Sequence, residues 1–305
     1  MHIDQLTLKN FRNFESVDIP LNSKMNIVIG NNGSGKSSLL MGALTAASAF
    51  FLGIDYASPR SIKTDDVRHV AHEIKKVYQQ VAVYPVEVSC EGVVNGVTCK
   101  WSRSLSGPKS NTTYGGASDL RNIASSLQKS ASNEYSEDVL PLIAYYGTGR
   151  LWAQKQAKKK GKQKLKSRFE GYQDCIAEQA TDKQLLEWFS ETTLLVSQEG
   201  PIPQMTAVQQ ALERCFADLI DHDETQRVKV EYRQRYRTIV VEYTNRSGEH
   251  ELHPMYEMSD GYRSVLSMVA DIAHRMVVLN PQLGDAILET PGIIIIDEVE
   301  LHLHP

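Results

Sequence analysis

Cysteine is scarce and unpatterned in this sequence. The four residues, Cys90, Cys99, Cys175 and Cys215, include no C-x-x-C pair, which excludes a zinc ribbon or disulfide framework and fits a reducing compartment. A basic excess is missing too: 33 Lys and Arg stand against 37 Asp and Glu, a net charge of −4. The chain as a whole is therefore no nucleic-acid coat, and any such contact must come from a local patch. No heptad run occurs, which excludes long coiled-coil arms. The most apolar window, residues 39–54, falls short of the roughly 18 residues that cross a bilayer. The N-terminal MHIDQLTLKN alternates and carries charge, unlike a secretory leader. These absences predict a soluble cytoplasmic protein with no membrane contact. Neither an H-N-H pattern nor a tight acidic cluster outside residues 297–300 occurs, so no nuclease centre is visible, and no internal repeat is found.

What is present suffices for a packed core: 305 residues, 41% hydrophobic and 23% charged, room for one large or two ordinary domains. The chemically most telling stretch is IVIGNNGSGKSS, residues 27–38. It reads G-x-x-x-x-G-K-S between a β-branched run, residues 25–29, and an apolar helical run, residues 39–54. That strand–loop–helix context is what a phosphate-binding loop requires. Gly30, Gly33 and Gly35 permit backbone turns closed to other residues, so the N–H groups of Asn31, Asn32, Ser34 and Ser38 can join theirs around phosphate oxygens. The following helix adds its positive end. Lys36 is placed to reach the β- and γ-phosphates and Ser37 to ligate Mg²⁺. The pattern predicts a nucleoside triphosphate, ATP, as ligand.

Along the chain, residues 3–8 and 17–19 read as short strands leading to a buried strand at 25–29. Residues 58–80 are polar, with a helix expected from Asp65. Two strands flank the Asn95–Gly96 hairpin signal; that register sets Cys99 opposite Gly92 rather than Cys90. Residues 106–118 read as an exposed loop and 140–146 as a buried strand. Helices are expected within 172–199 and over 206–220, strands at 227–232, 238–243 and 250–253, with RQRYR (233–237) as a hairpin tip. A helix over 259–279 stops at Asn280–Pro281.

Two further stretches can serve the phosphate loop. Residues 293–296 are four isoleucines, the composition of a central strand covered on both faces, and they end in Asp297 and Glu298. Asp297 can hold Mg²⁺ through water, opposite Ser37, and Glu298 can polarise the attacking water as general base. In MSDGYRSVLSMVADIAHRM, Ser259 stands as an N-cap before a helix with apolar positions at helical spacing, so that Ser259, Asp260 and Gly261 open a second anion-binding helix start. The order is loop, signature, acidic strand.

On LKNFRNF (8–14), GNNGSGKSS, AYYGTGRLW (144–152), MSDGYRSVLSMVADIA and IIIIDEVELHLHP, the chain resembles ABC-class ATPases of the SMC/RecF/Rad50 and OLD superfamily. Within it, the chain is similar to the ATPase subunits of Septu-type (PtuA-like) and retron-associated anti-phage systems. The resemblance implies an α/β fold: a P-loop NTPase head of ABC type with a mixed central sheet, a β-rich N-terminal lobe and an inserted helical region. It divides as residues 1–152 (loop and β subdomain), 153–225 (basic loop and helical insertion) and 226–305 (signature helix and acidic strand). It implies a Mg²⁺-dependent ATPase whose heads form a homodimer or higher oligomer around ATP. Lys36 and Ser37 of one copy would face Ser259 and Gly261 of the other, with Arg12 near the nucleotide. A separate nuclease subunit, of HNH type, would be the gated partner.

The sequence departs from the superfamily at several places. Asp260 and Tyr262 replace the Gly and Gln of the transporter signature, and Gln154 is a poor match for the glutamine that follows the second strand. The residues up to Pro305 do not include the switch histidine's strand or the D-loop, so little turnover is expected from these residues alone; His302 and His304 are not substitutes. Residues 155–168 hold seven lysines, among them Lys158, Lys159, Lys160, Lys162 and Lys164, plus Arg168, and no acid. They read equally as a solvated loop or as a patch tracking DNA or an RNA–DNA hybrid, without aromatics for base stacking. A RecF/Rad50-like repair ATPase is the alternative function, and a scaffold holding ATP as a structural ligand a third.

Overall fold

The computed structural model describes residues 1–74, 77–133, 135–148, 167–177, 182–220, 228–245 and 247–298. They form two compact units, each taken by itself below. The first comprises Met1–Tyr145 with Pro291–Asp297, the second the described residues of Tyr146–Thr290 with Glu298. The acidic strand at 293–296, read from sequence as part of a separate stretch beginning at 226, thus folds with the first unit.

In the first unit, strands β1 (His2–Phe11) and β2 (Phe14–Pro20) form a hairpin. With β5 (Val86–Val94) and β6 (Val97–Leu105) they make an antiparallel sheet in the order β2-β1-β5-β6. Burial along β5 alternates strictly, as a half-covered strand demands. The covering layer is α1 (Lys36–Ala47), continued by a tighter turn, Ser48–Gly53. The Trp101 indole, on the inward face of β6, donates to the Ala46 carbonyl near the end of α1 at 2.9 Å. The Asn95–Gly96 turn forms, Asn95 and Gly96 both at positive φ, and Cys99 does stand opposite Gly92. Strand β7 (Leu142–Tyr146) pairs with β11 (Gly292–Ile296). Gly292 permits the approach, since a Cβ there would lie 2.1 Å from the Leu142 carbonyl oxygen.

Three expectations fail here, each for a physical reason. Residues 25–29 pair with no strand among the described residues, and Met25, Ile27 and Ile29 are 75%, 74% and 89% exposed. β-branched composition makes a strand only where a neighbouring edge supplies hydrogen bonds, and the β7–β11 sheet ends without reaching this run. The helix expected from Asp65 is a single turn, Thr64–Asp66, followed by the hairpin β3 (His69–Ile74) and β4 (Val77–Ala82). A Phe11–Val67 bridge draws this segment into strand pairing. The cover expected on both faces of 293–296 is incomplete: among the described residues β11 pairs with β7 alone, and Ile294 is 38% exposed. The loop expected at 106–118 does form, apart from a short turn at 115–117, and leads into α2 (Ser118–Ala131), whose buried stripe of Leu120, Ala124, Leu127 and Ala131 is hidden in sequence among serines. Helical residues Lys36–Gly53 also reach membrane-spanning length and hydropathy, which corrects the reading of 39–54 as too short, but 67% of that window is buried inside the fold.

The second unit packs α3 (Asp182–Glu199), α4 (Pro203–Leu219) and α5 (Asp260–Leu279) against the sheet β8 (Lys229–Arg233), β9 (Thr238–Thr244) and β10 (His250–Pro254), in the order β10-β9-β8. Phe189, Val208, Leu212, Phe216, Val230, Val241, Leu266 and Ala270 make its core. One polar cluster fixes α5. The Asp271 carboxylate accepts the Tyr146 hydroxyl at 2.7 Å and Arg275 Nε at 2.8 Å, while Arg275 Nη1 donates to the Gly171 and Gln173 carbonyls. Burial, then the neighbouring Asp271 charge, pushes the Tyr146 phenol well above its ordinary range. Burial likewise pushes the Cys175 thiol up to about 12, so it stays protonated and inert at neutral pH.

Asp271→Ala leaves a buried guanidinium without its carboxylate and is expected to cost about 3–5 kcal/mol. Urea unfolding followed by circular dichroism checks this; a loss under about 1 kcal/mol would show that the cluster contributes little.

Candidate nucleotide-binding site

The phosphate loop occupies residues 30–37, at the start of α1. Gly33 and Gly35 have φ of 81° and 98°, left-handed values that side-chain-bearing residues rarely adopt. Gly35 has a second constraint: a Cβ there would come within 3.0 Å of the Phe14 ring, so the β1–β2 turn abuts the loop. The Ser34 N–H donates to the Asn31 carbonyl at 3.1 Å, and the Leu39 N–H to Gly35 at 2.9 Å. Lys36 folds over its own loop, its Nζ donating to the Gly30 and Asn31 carbonyls at 2.7 and 3.0 Å. These carbonyls hold the ammonium where a phosphate would otherwise attract it. Asn32 and Ser34 are exposed, and Ser38 is buried in the first turn of α1.

The Ser37 hydroxyl lies 3.4 Å from Asp297 Oδ1, across 260 residues of sequence. Asp297 is buried at the end of β11, and α1 packs on that strand. A hydroxyl and a carboxylate converging beside a phosphate-binding loop are the kind of oxygen donors that would hold a hard cation. These residues fit a Mg²⁺–nucleotide. Glu298 follows directly, exposed and at φ 50°.

Arg12 sits at φ 49° on the β1–β2 turn, its N–H on the Asp66 carbonyl and its Nε on Asp66 Oδ1, both at 2.8 Å. Asp66 is fully buried and also accepts from Arg60 Nη2 at 2.8 Å and the Lys63 N–H at 3.0 Å. Arg60 Nη1 in turn donates to Thr45 Oγ1 on α1 at 2.6 Å. Burial favours the neutral acid, but the Arg60 hydrogen bond and charge, the Lys63 N–H and Arg12 together outweigh it and hold the Asp66 carboxyl below its usual range. Sequence reasoning named Arg12 and missed Asp66, Arg60 and Phe14. No motif spacing links residues 12 and 66; only the turn at 64–66 brings them together.

In the second unit, Ser259 stands immediately before α5, but its hydroxyl makes no capping hydrogen bond. Asp260 is exposed and accepts from Arg263 Nη2 at 2.5 Å; Gly261 is buried. Lys158, Lys159, Lys160, Lys162 and Lys164 lie outside the described residues, as do Gln154, His302 and His304.

A left-handed glycine loop opening a helix, beside a strand that ends in a carboxylate, defines a P-loop ATPase fold. Residues 5–240 match the family model AAA_23, described as an AAA domain, and the chain belongs to that family. It is 23% identical over 362 residues to the retron Ec83 probable ATPase of Escherichia coli, covering all of this chain and 64% of the relative. It is 25% identical over 359 residues to the retron Vc95 probable ATPase of Vibrio cholerae serotype O1 biovar El Tor, covering all of this chain and 66% of that protein. The chain thus spans just under two thirds of the length of these relatives. A local match to the DNA replication and repair protein RecF of Colwellia psychrerythraea, 48% identical over 71 residues, covers 23% of this chain and 16% of that one. Among solved structures, an SMC head domain from Thermotoga maritima gives a TM-score of 0.44 at 12% identity, over 99% of this chain and 91% of that one.

Two measurements follow. Lys36→Ala is expected to weaken binding of a fluorescent ATP analogue at least about tenfold, because a charge-assisted phosphate contact is lost; unchanged affinity would exclude the loop as the site. For Asp66, the folded carboxyl lies below the unfolded one. Its stabilisation is therefore present above about pH 4 and lost as pH falls through the folded value. Asp66→Asn is expected to flatten the acid limb of the melting temperature against pH, and an unaltered limb would contradict the assignment.

Proposed function

We propose that this chain is the ATP-binding and ATP-hydrolysing head of a bacterial anti-phage defence complex, of the kind to which retron-associated ATPases belong. The observation that carries the reading is the approach of Ser37 to Asp297 at 3.4 Å beside the glycine loop. The similarity to two retron probable ATPases, over all of this chain and just under two thirds of each relative, supports the defence context.

In this reading the N–H groups of residues 30–38 surround the triphosphate, and Lys36 leaves the Gly30 and Asn31 carbonyls for the β- and γ-phosphates. Ser37 and Asp297 hold Mg²⁺, which when bound neutralises charge developing on the transferred phosphoryl. Glu298 accepts the proton of the attacking water. Ser259 and Gly261 of a second copy close the pocket, the uncommitted Ser259 hydroxyl and the first N–H groups of α5 facing the γ-phosphate. Two copies meet only when ATP supplies the bridging charge, and that meeting gates a separate nuclease subunit of the HNH type, as in Septu systems. The basic stretch at 155–168 tracks the phosphates of DNA or of an RNA–DNA hybrid. A RecF-like repair ATPase is the second reading, favoured by the local RecF match. DNA-stimulated hydrolysis without a co-purifying nuclease would distinguish it.

Glu298→Gln, which keeps the site but removes the base, is expected to hold a dimer in ATP and Mg²⁺ by light scattering, and adding Ser259→Arg to return it to monomer. A mass insensitive to ATP in both variants would sink the two-copy pocket.

A further inference from the structure

The β1–β2 turn carries an arginine that is anchored but not used up. Arg12 gives Nε to Asp66, and among the described residues its two terminal nitrogens donate to nothing. Its side chain keeps 27% exposure, against 11% for Arg60. Arg60, by contrast, is committed at both ends, Nη1 on Thr45 and Nη2 on Asp66. The cluster contains two guanidinium groups and one carboxylate, so one positive charge remains, and it falls on the open edge of Arg12. Arg12 also holds a left-handed backbone conformation, φ 49°, which persists only where the surroundings over-determine it. Here they do, through the Arg12 N–H to the Asp66 carbonyl and the Arg68 N–H to Asn10.

The cluster is tied to two elements that adjoin the phosphate loop. The turn that carries Arg12 carries Phe14, whose ring lies against Gly35. Thr45, which receives Arg60, lies on the helix that begins at Lys36. We propose, resting on the nucleotide-binding reading above, that Asp66 is a positioning residue of this pocket: its buried carboxylate fixes Arg12 by Nε so that both terminal nitrogens present to a phosphate of the bound nucleoside triphosphate. The logic is that of a guanidinium fork, which binds phosphate well only when its plane is fixed beforehand. Arg60 has the supporting part, tying the carboxylate to α1 so that the fork keeps register with the loop. A lysine at 12 could keep the charge but not the two-edged contact.

The test is a double-mutant cycle on the full chain, read by titration of a fluorescent ATP analogue and, separately, by thermal unfolding. Arg12→Lys is expected to weaken the analogue about tenfold and Asp66→Asn about fivefold, while the double variant is no weaker than Arg12→Lys alone. Melting temperature falls with Asp66→Asn in both backgrounds, so stability and affinity separate. If Asp66→Asn leaves affinity unchanged, or weakens it equally with lysine at 12, the carboxylate only braces the fold and the proposal is overturned. Should Asp66→Asn melt below the assay temperature, Arg60→Lys, which loosens the tie to Thr45, takes its place in the cycle with the same two outcomes. Lys36→Ala separates the two levels. Unchanged binding there removes the nucleotide pocket itself, whereas binding lost there but additive in the cycle removes only the role of Asp66.

Discussion

The convergence of Ser37 on Asp297 is the constraint on which the first unit depends. A hydroxyl from the phosphate loop and a carboxylate from the far end of the sequence meet only if β11 lies under α1, and β11 lies there only because it pairs with β7. That pairing in turn needs the bare backbone of Gly292 against Leu142. Above it, α1 is clamped by the antiparallel sheet through the Trp101 indole and through Phe14 at Gly35. Each of these contacts serves packing, and together they bring two oxygens close enough to share a cation.

The polar clusters in the two units show contrasting uses of buried charge. Asp271 and Arg275 balance one another, and the remaining donors are taken up by carbonyls of the segment before α3. Such a pair fixes geometry and leaves no charge to act on a ligand. Asp66 is outnumbered by Arg12 and Arg60, so this cluster, unlike the other, keeps a surplus positive charge in the unit that carries the phosphate loop.

The elements that carry the candidate site residues were largely legible in the sequence because each is local. Residues 30–37 match a phosphate loop by spacing alone, four isoleucines before Asp297 mark a strand, though not one covered on both faces, and Ser259 marks a helix start. The hairpin of β5 and β6 was legible down to its register, since Asn95–Gly96 allows few alternatives. What could not be read depended on distant partners. The run at 25–29 has strand composition but no neighbour, and the segment after Asp65 was turned into a hairpin by its bridge to Phe11. In α2, serines diluted the apolar stripe below notice. The Arg12–Asp66 contact has no local signature at all.

The buried indole of Trp101 has a practical consequence. Its N–H is fixed to the Ala46 carbonyl near the close of α1, and Trp188, in the other unit, meets Phe189 edge to face and lies tilted against the His274 ring at 4.8 Å. Among the described residues each unit therefore carries its own intrinsic fluorophore, one beside the helix that starts at Lys36 and one next to the His274 imidazole. Single-tryptophan variants, with Trp152 also replaced, would report on each unit with no dye attached.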